Sequence, residues 1–236
     1  MNFVDIVILI ILAFGALIGF KRGMTRQLLS LIGMILVVVF AFLLKNPIAV
    51  FMYTNFPFLK FPGVLSGVSV INILLYEIIA FLFVFFLLMI IYRILVFATK
   101  VFEKFLNMTV ILAIPSKLLG AVLGIIENYI IVFIVMYILT LPFFNVDIVE
   151  SSKMRNTILK KTPIINKYAK SMVDAGNEFT SLIEKHKVET NAEQLNLESL
   201  DLLLKYKVTT VKSVDILIEK NKIQINNIER VLGKYR

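Results

Sequence analysis

The chain has 236 residues, of which 59% are hydrophobic, and its mean hydropathy is +0.88. Soluble domains contain roughly 45–50% apolar residues, so this composition indicates a membrane protein. The absence of cysteine excludes disulfides, thiolate metal sites and thiol nucleophiles. The one histidine, His186, lies between Lys185 and Lys187, and we interpret it as a solvated helix residue. We therefore predict no metal site, no cofactor and no catalytic residues.

The net charge of +9 does not lead us to expect a nucleic-acid partner, because much of the excess lies in short loops beside apolar spans. A helix that crosses a hydrocarbon core of about 30 Å needs roughly 20 mostly apolar residues. Four such spans are predicted, at 3–20, 27–44, 70–92 and 118–141. The first lacks the basic start and the cleavage site of a secretory signal, so we treat it as a retained helix.

Charge is distributed unevenly along the chain. Up to Leu141 there are nine Lys or Arg and four acids, whereas the remaining 95 residues hold sixteen basic and twelve acidic side chains. We therefore predict an all-α protein with a four-helix transmembrane bundle over residues 1–141. A small helical C-terminal extension follows it.

Basic residues in short loops mark the cytoplasmic side of a membrane. They concentrate in the first and third loops, at Lys21, Arg22, Arg26, Arg93, Lys100, Lys104 and Lys117. This predicts that both termini are extracytoplasmic. A second group, Lys153, Arg155, Lys160 and Lys161, follows the last span and opposes the prediction, but long domains are translocated largely regardless of charge.

Two loops have features of a membrane interface. The second loop contains Lys45, Lys60 and three prolines, which we expect to exclude a continuous spanning helix, and its many aromatic residues suit the depth of the headgroups. The third begins with "RILVFATKVFEKFLNM", which has apolar residues on one helical face. It predicts an interfacial amphipathic helix, or a cytoplasmic extension of the third span over its first two turns.

The tail divides at about residue 196. Residues 142–196 are predicted to form an amphipathic helical segment and a linker. Residues 197–236 contain three similar units at a spacing of 14 residues, in which Ser199, Ser213 and Asn227 are the predicted N-caps. Short helices are not stable alone, so we expect these units to bury their apolar residues against one another, namely Leu200, Leu203, Leu204, Val214, Leu217, Ile218, Ile228, Val231 and Leu232.

Small residues recur four apart in two of the spans. Such spacing lets helix backbones approach closely in lipid, so we predict helix packing there, with a functional hinge or gate as the alternative. The residues are Gly15, Gly19 and Gly23 in the first span, and Ser116, Gly120 and Gly124 at the fourth.

We single out four polar residues within the apolar spans: Asp5, Glu77, Glu127 and Asn128. Counting about 1.5 Å per residue from the basic flanks places Asp5 and Glu77 together near the outer interface and Glu127 near the midplane. A carboxylate at the bilayer centre costs on the order of 3 kcal/mol, so Glu127 is either protonated or meets water or polar groups such as Asn128 and Asn72. Glu127 is a structural group between helices, part of a proton or solute path, or a contact for a partner.

The first 140 residues resemble the colicin V production (CvpA-type) family of bacterial inner-membrane proteins. The resemblance rests on Asp5, on "GALIGFKRGMTRQLLSLIG" with Gly19, Lys21, Arg22, Gly23, Arg26 and Gly33, and on "KLLGAVLG" with Gly120 and Gly124. The family pattern continues with a basic residue and a glycine where this chain has Glu127 and Asn128, so no role of that basic residue transfers. Longer members from Gram-positive bacteria are similar in having a helical extension.

The resemblance implies an inner-membrane protein that is linked to toxin production or export and to envelope homeostasis, without established catalysis. Related four-helix domains also anchor extracytoplasmic proteases, which agrees with an external C-terminus. We predict a homo-oligomeric scaffold that presents its tail to an unidentified envelope or secretion protein. The alternative is a small transporter or proton-linked channel that uses Asp5, Glu77 and Glu127. A catalytic pairing of Asp5 with Glu77 is the third option.

Overall fold

A computed structural model describes residues 2–103, 113–139, 149, 151–161, 163–186 and 191–236. These residues form helices and loops, with no strand among them. The helices are α1 (Phe3–Arg22), α2 (Met24–Asn55), α3 (Val70–Glu103), α4 (Ala113–Leu139), α5 (Lys153–Lys161), α6 (Pro163–Lys185), α7 (Ala192–Lys205), α8 (Val211–Glu219) and α9 (Glu229–Leu232), with a 3-10 turn at Gly63–Leu65.

Four of the described helices are long and apolar enough to cross a membrane. They are α1, α2, α3 through Phe97, and α4 from Ile114. The first three contain the first three predicted spans, and α4 covers the fourth as far as Leu139, where the described residues stop. Large apolar side chains along all four are exposed in the protein, as lipid-facing surfaces require. The prediction of an all-α fold with four spanning helices is confirmed.

Local sequence explains how α1 begins and ends. The Asn2 side chain accepts a hydrogen bond from the Asp5 N–H, and the Asp5 carboxylate accepts one from the Asn2 N–H, which together form a capping box. At the other end Gly23 has a φ of 76°, a conformation that glycine adopts without strain, so the chain turns into α2 after one residue.

The expectation that the prolines of the second loop exclude a helix is wrong for Pro47. Helix α2 continues through Pro47 to Asn55, and only Pro57 and Pro62 lie beyond its end. A proline inside a helix removes one backbone hydrogen bond. The following turns are held instead by tertiary packing, because Ala49 and Tyr53 are completely buried.

Helix α3 also extends beyond its predicted span. It continues without a break from Val70 to Glu103, so the first turns of "RILVFATKVFEKFLNM" are an extension of the third span. This is the second of the two structures that the pattern predicts. Residues 104–108 of that segment lie outside the described residues.

The chain divides into two compact units. The first, here the α1–α4 unit, contains α1, α4, α5, the part of α2 up to Ala41 and the part of α3 from Phe85. The second, here the hairpin–tail unit, contains the rest of α2, the loop that follows, the first part of α3 up to Val84, and nearly all of α6 together with α7 to α9.

The core of the hairpin–tail unit joins the end of α2 and the start of α3 to the tail. Val70, Ile71 and Ile73 of α3 are completely buried in it, with Phe179 of α6 and Leu217 of α8. Seven of the nine apolar residues expected from the repeated pattern are buried, and the other two, Ile218 and Ile228, pack at its edge. The repeats therefore pack against the hairpin as well as against one another.

The predicted N-caps of the tail are wrong. Asn191 caps α7, accepting hydrogen bonds from the N–H groups of Glu193 and Gln194 at 3.1 Å, and Thr210 caps α8, accepting one from Ser213 N–H at 3.2 Å. Ser199 and Ser213 lie inside these helices and are buried. The 14-residue spacing thus records which residues face the core, and the helices begin where other side chains satisfy their first N–H groups.

His186 is also not solvated. It is buried beyond the end of α6, and its Nδ1 lies 2.9 Å from the carbonyl oxygen of Leu182. Its flanking lysines predicted exposure, but the preceding helix turns its ring inward.

Replacing Leu217 by alanine is expected to destabilise the hairpin–tail unit by about 2–5 kcal/mol, because a fully buried leucine leaves a cavity. Ile218→Ala, at the neighbouring half-buried position, is the matched control and should cost clearly less. Thermal unfolding of both variants in detergent measures the difference. Equal losses of stability would contradict the described core.

Candidate functional site

The carboxylate of Glu127 is hydrogen-bonded to two side chains of α2. Gln27 Nε2 donates to one carboxylate oxygen, and Ser30 Oγ donates to the other at 3.0 Å. Gln27 is buried, whereas Ser30 and Glu127 are half-buried. Because both partners lie in the first two turns of α2, the carboxylate lies nearer to the basic first loop than the residue count along α4 suggests.

The two polar residues expected beside Glu127 have other partners. Asn128 donates to the carbonyl oxygen of Gly124 in its own helix at 3.1 Å. Asn72 pairs with the backbone N–H and carbonyl of Leu59, at 2.7 and 3.1 Å. The actual partners, Gln27 and Ser30, are visible in the sequence as the hydrogen-bonding side chains at the start of the second span.

Arg22 extends this cluster towards the first loop. Its Nη1 lies 3.3 Å from Ser30 Oγ and 3.5 Å from Gln27 Oε1, so the guanidinium and the Glu127 carboxylate share the same two polar neighbours. We name Arg22, Gln27, Ser30 and Glu127 the Glu127 cluster. It supplies hydrogen bonds and a nearby positive charge to an acid that would be costly in bare lipid.

The predicted small residues of the first and fourth spans meet along one seam between α1 and α4. A Cβ atom built on Gly19 would overlap the carbonyl oxygen of Gly120, and one built on Gly124 would overlap that of Gly15. At the end of the seam Ser116 Oγ accepts a hydrogen bond from the Met24 N–H at 3.1 Å, and Gly23 lies beside it. The backbones therefore touch, as small residues four apart allow.

Gly33 makes a different close contact. A Cβ atom there would overlap the ring of Tyr92 on α3, whose hydroxyl lies 3.4 Å from the carbonyl oxygen of Leu29. Gly33 therefore makes room for an aromatic side chain, whereas the other glycines make room for backbone. Asn128 also uses such space, because its amide lies against Gly15.

Asp5 is buried and accepts hydrogen bonds from two helix starts. One of its oxygens accepts from the Asn2 N–H of α1 at 2.9 Å. The other accepts from Ser152 Oγ at 2.6 Å and from Met154 N–H of α5 at 3.0 Å. A carboxylate at helix N-termini is favourable for both helices. Asp5 therefore anchors α5 to the beginning of α1.

Glu77 forms a buried ion pair with Lys45. Lys45 is 4% exposed and Glu77 is 2% exposed, and the Lys45 ammonium donates to the Glu77 carboxylate. The same ammonium donates to the carbonyl oxygen of Val208 in the tail at 2.7 Å and to Asn46 Oδ1 at 3.0 Å. Asp5 and Glu77 thus have separate sets of partners, each within its own unit.

Asn196 is an important polar residue that sequence reasoning missed. Its side-chain oxygen accepts from the Val70 N–H at 3.1 Å, and its nitrogen donates to the carbonyl oxygens of Gly67 at 3.1 Å and Ala192 at 2.9 Å. It is buried. A side chain of α7 therefore satisfies the first N–H of α3 and a carbonyl oxygen in the turn before it, and only the fold brings these residues together.

The topology-determining basic residues lie on the surface. Lys21, Arg22, Arg26, Arg93 and Lys117 all have exposed side chains, and the ammonium of Lys117 lies 5.9 Å from the ring centroid of Phe20. Their role in orientation remains a prediction. No group of three or more His, Asp or Glu residues that could hold a metal ion is found among the described residues.

The surface between α6 and α7 is charged. Lys205 Nζ donates to the carboxylate of Glu178 at 2.8 Å, and Tyr206 Oη donates to it at 2.6 Å. These hydrogen bonds, that of Lys205 first, lower the pKa of Glu178 below its usual value. Glu178 is therefore ionised at neutral pH on this water-facing surface.

Four apolar helices, in which the acids Asp5, Glu77 and Glu127 each have partners within the protein, define a multi-pass helical membrane protein. The chain belongs to the colicin V production protein family, which matches residues 4–163. The matched part ends at the start of α6, and the later tail lies outside it.

A relative from Bacillus subtilis (strain 168), described as the uncharacterized transmembrane protein YshB, is similar to this chain. It is 29% identical over 178 residues, which cover 69% of this chain and 92% of the relative. No solved structure matches the chain. The description of this relative calls it transmembrane and states no activity.

Substituting Gly19 by leucine is expected to separate α1 from α4 and to lower stability by about 3 kcal/mol or more, because the new side chain meets backbone that cannot yield. Ala13→Leu, at an exposed position of α1, is the matched control and should be tolerated. Thermal stability and monodispersity in detergent report the difference. A stable, monodisperse Gly19→Leu protein would contradict the α1–α4 seam.

Proposed function

We propose that this protein is a non-enzymatic, homo-oligomeric scaffold of the bacterial cytoplasmic membrane. It holds a folded helical tail beside the membrane for an envelope or secretion protein. The observation that carries the proposal is the attachment of the tail to membrane helices α2 and α3, through Asn196, through Lys45 and through a shared apolar core.

The chemistry of the tail surface supports a role in protein binding. Among the described side chains of α6 to α9, none of the large apolar ones is exposed. Charged groups cover the surface instead, for example the Glu178–Lys205 pair and the contact of Arg236 with Asp215 at 2.8 Å. A surface of this kind suits a soluble domain or a polar partner, and the buried attachment keeps it close to the bilayer.

Family membership suggests the cellular process in which we propose that the scaffold takes part. The family is described by colicin V production, so we propose a link to toxin production or export and to envelope homeostasis. The orientation with both termini outside the cytoplasm belongs to the same proposal, since it places the tail where envelope proteins are found. It rests on the basic residues of the first and third loops.

A proton-linked path is the second candidate function. The observation that favours it is the Glu127 cluster, in which hydrogen-bonding side chains join a half-buried carboxylate to Arg22 near the first loop. The contacts of Asp5 and Glu77, the other two acids proposed for such a path, favour the scaffold instead. The oxygens of Asp5 cap two helices, and Glu77 pairs with Lys45.

Glu127→Gln separates the two functions. The amide retains an oxygen that accepts from Ser30 or Gln27 but cannot bind and release a proton, so a scaffold should keep its activity and a proton path should lose it. Asn196→Ala should weaken a scaffold, since it leaves the start of α3 unsatisfied at a cost of about 1–3 kcal/mol. Asn177→Ala, at an exposed position of α6, is its control.

The readout is the survival under envelope stress of a strain that lacks the wild-type gene and expresses each variant at equal membrane level. We expect Glu127→Gln and Asn177→Ala to complement fully, and Asn196→Ala to complement poorly. Loss of complementation by a folded Glu127→Gln protein would replace the scaffold with the proton path.

A further inference from the structure

The exposed surface of the α2–α3 hairpin has almost no charge. Every residue from Gln27 to Tyr92 is described, and only three of them are charged: Lys45, Lys60 and Glu77. Lys45 and Glu77 are buried against each other. Lys60 is therefore the one exposed charge between Arg26 and Arg93. Lys45, which looks in the sequence like a loop charge at the end of the second span, does not mark the edge of the membrane.

An apolar stripe continues along α2 beyond Lys45. Exposed residues follow one another at spacings of three and four, which places them on one face of the helix. They are Leu36, Phe40, Leu44, Pro47 and Phe51. The first three lie in the predicted span, and the last two extend the same face past it. The exposed face of α2 therefore stays apolar past residue 44, where the predicted span ends.

The stripe ends in an aromatic patch at the tip of the hairpin. Phe51 is 60% exposed, Phe56 is 46% exposed and Leu59 is 53% exposed, and the rings of Phe51 and Phe56 meet edge to face with centroids 6.4 Å apart. We name these three residues the tip patch. Two lysines flank it: Lys60 follows it directly, and Lys222 Nζ lies 3.4 Å from the carbonyl oxygen of Phe56.

Helix length indicates what the tip patch meets. From Gln27 to Phe51 an α-helix rises about 36 Å, which exceeds a hydrocarbon core of about 30 Å but stays within the 40–45 Å of a bilayer with its headgroups. Aromatic residues with adjacent lysines are the composition that proteins place at this depth, where rings contact the acyl boundary and ammonium groups contact phosphates.

We propose that the tip patch is a membrane-binding surface that inserts Phe51, Phe56 and Leu59 into the headgroup region of the bilayer, with Lys60 and Lys222 on lipid phosphates. One side of the hairpin end faces the tail and the other faces lipid. This inference stands apart from the scaffold proposal, because it depends on the surface of the hairpin tip and the adjacent Lys222 and not on a partner of the tail.

The chain contains no tryptophan, so a single Trp reports on its own surroundings without background. Phe56→Trp and Phe51→Trp replace exposed rings and should leave the fold intact. Asn177→Trp is the control, since Asn177 is exposed on α6 next to Glu178 of the charged surface. Each full-length variant is reconstituted into phosphatidylcholine–phosphatidylglycerol vesicles, with and without phosphatidylcholine brominated near the headgroup end of its acyl chains.

Tip Trp residues in the headgroup region should lose most of their fluorescence to brominated lipid and little to iodide, with blue-shifted emission. The Asn177→Trp control should show the reverse. Quenching of both tip reporters by iodide and not by brominated lipid would place the patch in water and overturn the proposal. Protection from both quenchers would indicate burial against protein and would overturn it equally.

Discussion

A polar group inside a bilayer has no water to bond, so each one on an apolar helix has to find its partner within the protein. This constraint explains the contacts of the three acids in the spans. Asp5 accepts from two helix starts, Glu77 from a lysine, and Glu127 from an amide and a hydroxyl. Each solution also joins segments that are distant in the chain, so the acids hold the fold together where lipid offers no hydrophobic drive between helices.

The glycine seam and the Glu127 cluster are two consequences of one sequence block. In residues 15–33, Gly15 and Gly19 let α4 approach α1, whereas Gln27 and Ser30 reach the acid that α4 carries. This block is also the part of the chain on which the family resemblance mainly rests. The chain accommodates Glu127 through two polar side chains that are themselves next to Arg22.

The features that sequence predicted well are those set by local composition. Runs of apolar residues located the four spanning helices, and glycines four apart identified the faces that touch. The predictions that failed depend on distant residues. Pro47 does not end α2 because burial of Ala49 and Tyr53 holds the next turns, and Ser199 and Ser213 are not caps because Asn191 and Thr210 begin those helices earlier.

Long-range pairing explains the remaining misses. Nothing near Lys45 in the sequence indicates that it meets Glu77, 32 residues later, or the carbonyl oxygen of Val208, 163 residues later. Asn196 is likewise 126 residues from the N–H group that it satisfies. From the sequence alone, Lys45 looks like a loop charge and Asn196 like a linker residue, although both attach the tail to the hairpin.

The buried Lys45–Glu77 pair is therefore the most informative contact to test. In a double-mutant cycle with Lys45→Met, Glu77→Leu and the double variant, thermal unfolding in detergent gives the coupling between the two sites. A buried pair predicts that each single change costs about 3–5 kcal/mol, since it leaves an unpaired buried charge, and that the double variant costs clearly less than either single change. Single changes that are tolerated, with additive effects in the double variant, would contradict a paired and buried Lys45 and with it the attachment of the tail described above.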